Sequence, residues 1–86
     1  MRVKAYYRTG EVAEIVGCSV STVKNLSDEL SEIIPNFIHR ESNNRRLYSL
    51  RTVATLQFIY NLEERFTRDD IERAALHVFY NVDCVQ

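Results

Sequence analysis

The stretch Thr9-Gly10-Glu11-Val12-Ala13-Glu14-Ile15-Val16-Gly17-Cys18-Ser19-Val20-Ser21-Thr22-Val23-Lys24-Asn25-Leu26 holds two short apolar periodicities separated by a glycine. Thr9 suits an N-cap, Glu11 falls in the first turn where acidic side chains are favoured, and Val12, Ile15 and Val16 recur at i, i+3, i+4. That spacing predicts an amphipathic helix closed by Gly17. Ser19 then caps a second helix whose stripe is Val20, Val23, Leu26 and Leu30, with Ser21, Thr22, Lys24 and Asn25 on the opposite face. Ala13 is small where the second helix crosses the first, and Val12, Val16, Cys18, Val23 and Leu26 fill the crossing. The pattern is that of a helix-turn-helix.

Downstream, Ile33-Ile34 precede Pro35, and the residue before a proline is driven out of helical geometry. Phe37-Ile38-His39-Arg40 reads as a strand, Glu41-Ser42-Asn43-Asn44 as a turn whose asparagines tolerate left-handed backbone, and Arg45-Arg46-Leu47-Tyr48 as the returning strand. Ser49 caps a third helix buried through Val53, Leu56, Ile59, Tyr60 and Leu62, with Glu63-Glu64-Arg65 as its polar exit and a break near Phe66. Thr67-Arg68-Asp69-Asp70 opens a fourth helix, with Ile71, Ala74, Ala75 and Val78 at helical spacing. The expected fold is mainly α with a small β-hairpin wing, a winged helix-turn-helix of about four helices. Residues 1–77 form this domain and residues 78–86 a short tail that packs on the core or on a second copy.

The chain has 86 residues, 45% hydrophobic, enough for one domain with a small core. Cys18 and Cys84 lie too far apart for the paired spacings of metal sites, so both read as reduced thiols and no metal or cofactor is expected. No apolar run approaches the length of about 20 residues that a bilayer span needs. Residues 1–8 lack the apolar core of a secretion signal, and a cytoplasmic, nucleoid-associated location is expected. His39 and His77 are the only histidines, no Ser-His or carboxylate pair has motif spacing, and no glycine loop can hold phosphate. The reading is therefore not an enzyme.

The net charge of −1 hides an asymmetry: residues 1–51 carry eight basic and six acidic residues (+2), while residues 52–86 carry three and six (−3). Between His39 and Arg51, Arg40, Arg45, Arg46 and Arg51 face the single Glu41. An arginine-tipped hairpin beside a helix-turn-helix can clamp phosphates or enter a minor groove. Ser21, Thr22, Lys24 and Asn25 project from the helix half that enters a major groove. Serine and threonine there can bond phosphates or base edges, lysine phosphate or guanine, and asparagine adenine. An ordinary solvated face would look the same on the helix alone; the hairpin tips the balance to double-stranded DNA. The candidate contacts are Ser21, Thr22, Lys24, Asn25, Arg40, Asn43, Asn44, Arg45, Arg46 and Tyr48.

Over residues 6–77 these motifs resemble, in order, the MerR-like winged helix-turn-helix family of bacterial and phage DNA-binding proteins. Tyr7-Arg8-Thr9-Gly10-Glu11-Val12-Ala13 looks like the family's opening, and Gly17-Cys18-Ser19-Val20-Ser21-Thr22-Val23-Lys24 like its turn and recognition helix. Asn44-Arg45-Arg46-Leu47-Tyr48-Ser49 is similar to the wing's Gly-Tyr-Arg-x-Tyr-Ser. Leu56-Gln57-Phe58-Ile59 and Phe66-Thr67-Arg68-Asp69-Asp70-Ile71 resemble the helices that follow. The resemblance implies that Ser21, Thr22 and Lys24 face DNA, that Arg46 is the wing arginine, and that a two-fold dimer reads an inverted repeat. Asn25-Leu26 stand where the family has an aromatic pair, Asn44-Arg45 where it has Gly-Tyr, and Arg65 where it has glycine. The target sequence therefore does not carry over. The family's coiled-coil helix and effector domain have no counterpart before Gln86, so no inducer sensing is expected, and the chain reads either as a stand-alone protein or as the DNA-binding part of a longer one.

A small transcriptional regulator, repressor or activator, is the expected function. An architectural excisionase-like or partition protein needs the same helix and wing. A protein-interaction module displaying Val78-Phe79-Tyr80 is the reading from another class; near-neutral charge favours it and the arginines oppose it.

Overall fold

The computed structural model describes residues 6–62 and 67–81. In chain order these form β1 (Tyr6–Tyr7), α1 (Thr9–Val16), α2 (Val20–Ser31), β2 (His39–Arg40), β3 (Arg46–Ser49), α3 (Leu50–Tyr60) and α4 (Arg68–Asn81). The fold is the winged helix-turn-helix expected, with one addition. The hairpin of β2 and β3 gains β1 on its other edge, giving an antiparallel sheet in the order β1-β3-β2. Tyr6 pairs with Ser49 and Tyr7 with Tyr48, while His39 and Arg40 pair with Leu47 and Arg46. A two-residue strand carries no alternation, so nothing local announces β1.

The bend between α1 and α2 is set by backbone geometry. Gly17 lies at φ 87°, ψ 37°, and the Gly17 and Cys18 N–H groups both donate to the Ala13 carbonyl at 2.8 and 3.0 Å. This left-handed closure recruits glycine for its torsion angle, because a Cβ there would meet nothing within 4 Å. At the other end of α1 the cap falls on Arg8 rather than Thr9. The Arg8 N–H donates to the Glu11 carboxylate at 2.9 Å, and the Thr9 hydroxyl is engaged elsewhere, 3.5 Å from the Tyr48 phenol oxygen. Ser19 caps α2 as expected, accepting from the Thr22 N–H at 3.1 Å.

The buried faces depart from the simple apolar stripes. In α1 the core takes Val12, Ala13 and Val16, and Ile15 is 45% exposed. At about 100° per residue, Ile15 lies roughly that far around the helix from the centre of the buried arc. Val20 opens α2 and Tyr60 closes α3, and both are exposed; apolar spacing runs on to helix ends where no neighbour covers it. The core also takes small hydroxyl residues. Ser27, Thr52 and Thr55 are fully buried, and each donates to a carbonyl: Val23 at 2.6 Å, Phe37 at 2.7 Å and Arg51 at 2.9 Å. A buried hydroxyl with a satisfied proton costs little and lets helices pack closely.

Phe37 explains why the first hairpin strand is shorter than expected, beginning at His39 rather than Phe37. Asn36 adopts a left-handed φ of 59°, Phe37 turns into the core, and its carbonyl goes to Thr52 instead of the sheet. Its ring meets Phe79 of α4 with centroids 5.5 Å apart. Ile34, Tyr48, Val53, Leu56, Ile59 and Ala75 belong to the same buried cluster. α4 starts as expected, with the Thr67 hydroxyl accepting from the Asp70 N–H at 3.1 Å, and continues without a break past His77 to Asn81. The expected polar exit at residues 63–65, the break near Phe66, and Val82, Cys84 and Val85 lie outside the described residues.

Thr52 also receives a second bond. Its single proton is spent on Phe37, so in the 3.1 Å contact between Ser49 Oγ and Thr52 Oγ1 the serine must donate, while Ser49 Oγ accepts from the Thr52 N–H. Thr52→Val keeps the shape but orphans a buried carbonyl and is expected to cost about 1–3 kcal/mol in urea unfolding, with Thr52→Ser retaining the bond to Phe37.

Candidate nucleic-acid interface

The N-terminal half of α2 presents Ser21, Lys24 and Asn25 to solvent. Thr22 is half-buried, its hydroxyl 2.9 Å from Ser19 Oγ in the cap. Of the four helix candidates, three are thus open and one is partly committed to holding the helix start.

The wing is built by its turn. Glu41 N–H donates to the Arg45 carbonyl at 2.9 Å and Asn44 N–H to the Glu41 carbonyl at 2.8 Å. Asn44 sits at φ 68°, while Asn43 Oδ1 accepts from the Arg45 N–H at 3.1 Å. Asparagine tolerates that left-handed geometry and can brace its own loop. Asn43, Asn44, Arg40 and Arg45 are all exposed.

Arg46 and Tyr48 have different surroundings. They alternate with Leu47 and so share one face of β3, the inward one. Tyr48 is fully buried in the core. The Arg46 side chain is only 17% exposed and pairs with Asp28 of α2 at 3.0 Å. Burial works against its charge, but the Tyr48 hydroxyl and the Asp28 carboxylate outweigh it and hold the guanidinium above its usual value. Its Nη1 is buried without a hydrogen-bond partner among the described residues. Arg40 lies directly across from Arg46 in the sheet, an unfavourable pairing of like charges. It is relieved from both sides: Asp28 holds Arg46, and Arg40 donates to the Asn44 carbonyl at 3.2 Å. The ion pair therefore ties the wing to the second helix.

Arg51, counted with the wing by sequence, belongs elsewhere. Its guanidinium lies 5.7 Å from the centre of the Phe79 ring, a cation held against α4. Reading along the chain also passes over Arg8. The pairing of β1 with β3 brings it to the wing, where it meets Glu41 at 3.5 Å and lines a shallow groove of about 300 Å³ with Thr9, Arg45 and Arg46. Its position next to the first helix was the only local signal.

Among the described residues, no group of three or more His, Cys, Asp or Glu gathers that could hold a metal ion. Cys18 is a free thiol whose pKa burial pushes up, which keeps it protonated and weakly nucleophilic at neutral pH. No described helix is long and apolar enough to cross a membrane.

A second helix with an open polar N-terminal half, joined by a salt bridge to a basic hairpin, gives the architecture of a winged helix-turn-helix protein. A family model described as MerR HTH family regulatory protein matches residues 7–77, and the chain belongs to that family. Its members are regulatory proteins that bind double-stranded DNA, typically as dimers, and DNA-binding transcription regulation is the class of function that membership brings. Searches among curated proteins and among solved structures returned no match.

The Asp28 end of the ion pair is 60% exposed, so its contribution to folding is modest. Asp28→Asn is expected to lower stability by less than about 1 kcal/mol, with the loss shrinking at high salt in urea titrations.

Proposed function

We propose that the protein is a small transcriptional regulator that reads specific double-stranded DNA with α2 in the major groove and holds the flanking backbone with its wing. The observation that carries this reading is the joint exposure of Ser21, Lys24 and Asn25 on α2 and of Arg40 and Arg45 on the wing, on elements coupled by the Asp28–Arg46 pair. Asn25 has the donor and acceptor that an adenine edge requires, and Lys24 suits guanine or phosphate. Thr22, Asn43 and Asn44 add polar contacts at the borders of these two groups. Arg46 and Tyr48 act from behind, by fixing the wing against α2. Two copies on inverted or tandem half-sites are the arrangement that the family's dimeric habit supports.

A chain with a net charge of −1 binds only where its basic residues are gathered, so affinity depends on a few phosphates and falls steeply with salt. Anisotropy titrations on the DNA upstream of its own gene are the direct test. Arg40→Ala combined with Arg45→Ala is expected to weaken all duplexes alike and to reduce the slope of log K against log salt by about 2. Asn25→Ala is expected to alter discrimination between sites by about 1–3 kcal/mol and to leave that slope unchanged. Absence of binding at low salt would sink the reading, and sedimentation with and without DNA tests the pairing of two copies.

A further inference from the structure

The groove beside the wing combines features that the two-part clamp leaves unused. Three arginines from two segments line it: Arg8 from the β1–α1 junction, and the consecutive Arg45 and Arg46 where the wing turn enters β3, with Thr9 beside them. Like charges gathered around a groove of about 300 Å³ repel one another unless anions intervene. Glu41 lies 3.5 Å from the Arg8 guanidinium, Asp28 lies 3.0 Å from that of Arg46, and the Glu11 carboxylate accepts from the Arg8 backbone N–H at 2.9 Å. Among the described residues the exposed Arg45 side chain lines the groove without an ion pair.

The Asp28 and Glu41 carboxylates differ in what they hold. Asp28 pairs with a guanidinium that is largely buried, and the contact is short. Glu41 pairs with Arg8, whose side chain is 52% exposed, at a distance longer than a good charge-assisted hydrogen bond. The Arg8 pair is therefore the one that an incoming anion can open. The geometry also favours one small tetrahedral anion over an extended ligand. Arginine forks match the oxygens of a phosphate, and the groove is too shallow to enclose a base.

We infer that this groove receives a single phosphodiester of the DNA backbone, held by Arg8 and Arg45, with Glu41 as the resident counterion that the phosphate displaces. The inference rests on the DNA-binding reading above. It makes Arg8 a contact residue alongside the recognition helix and the wing, and it places the first helix of the motif on the backbone. The same contact fixes the angle of the domain on the duplex, because α1 and the wing then grip one phosphate between them.

The test uses the full chain and duplexes in which one backbone phosphate at a time is replaced by a neutral methylphosphonate. Wild type, Arg8→Ala, Arg8→Lys, Glu41→Gln and the Arg8→Ala, Glu41→Gln double variant are compared by anisotropy at several salt concentrations, with thermal unfolding as the control for folding. Arg8→Ala is expected to bind about tenfold more weakly, with the salt slope reduced by about 0.9 and partial rescue by Arg8→Lys. Wild type loses affinity at one methylphosphonate position, and Arg8→Ala, with Arg45 alone left on that phosphate, loses markedly less there. Glu41→Gln binds more tightly than wild type, and this gain vanishes in the double variant. If Arg8→Ala matches wild type while the Arg40 and Arg45 double variant still weakens binding, the groove assignment is overturned and the function stands. A Glu41→Gln gain that persists without Arg8 overturns the counterion role. If wild type binds no duplex, the groove and the function fall together.

Discussion

The four residues of β3 are the constraint on which the rest of this small domain depends. β3 is the central strand, so its loss would leave both β1 and β2 unpaired. Its third residue, Tyr48, is the largest fully buried side chain in the described structure, and its last, Ser49, both pairs with Tyr6 and caps α3. Its first, Arg46, reaches Asp28 on α2. One strand thus anchors the core, launches a helix and sets the distance between the wing and the second helix. A domain of this size has few residues to bury, and shared duties of this kind compensate for that shortage.

The polar interior follows the same economy. Ser27, Thr52 and Thr55 occupy core positions that larger side chains would overfill, and each hydroxyl returns its proton to a backbone carbonyl. Thr52 does more than satisfy itself. By holding the Phe37 carbonyl it stops the strand at His39 and turns the Phe37 ring toward Phe79, which locks α3 and α4 behind the sheet. The wing is stiff at its base as a result, while its tip presents exposed arginine and asparagine. A rigid base lowers the ordering cost of any contact that the exposed tip makes.

Much of the architecture was legible along the chain. Gly17, the caps at Ser19, Ser49 and Thr67, and the asparagines of the wing turn are local signals whose chemistry does not depend on distant residues. The exposed part of the candidate interface was equally legible, because Ser21, Lys24, Asn25, Arg40 and Arg45 are polar residues on short elements whose facing side follows from periodicity. The misplaced apolar positions share a cause. Ile15, Val20 and Tyr60 are apolar and lie on plausible stripes, yet burial is decided by which neighbour arrives, and none covers them.

By itself the sequence determined the helix-turn-helix, the hairpin wing and the polarity of the face between them, since these follow from torsional preference and from spacing within a few residues. Tertiary structure alone decided which arginines are free. Four of them in the stretch from His39 to Arg51 look equivalent in one dimension, yet Arg46 is committed to Asp28, Arg51 to the Phe79 ring, and only Arg40 and Arg45 stand exposed. Arg8, some 30 residues upstream, joins them only because β1 pairs with β3. Charge on a chain is a count. What that charge can grip depends on the three-dimensional placement of partners that compete for it.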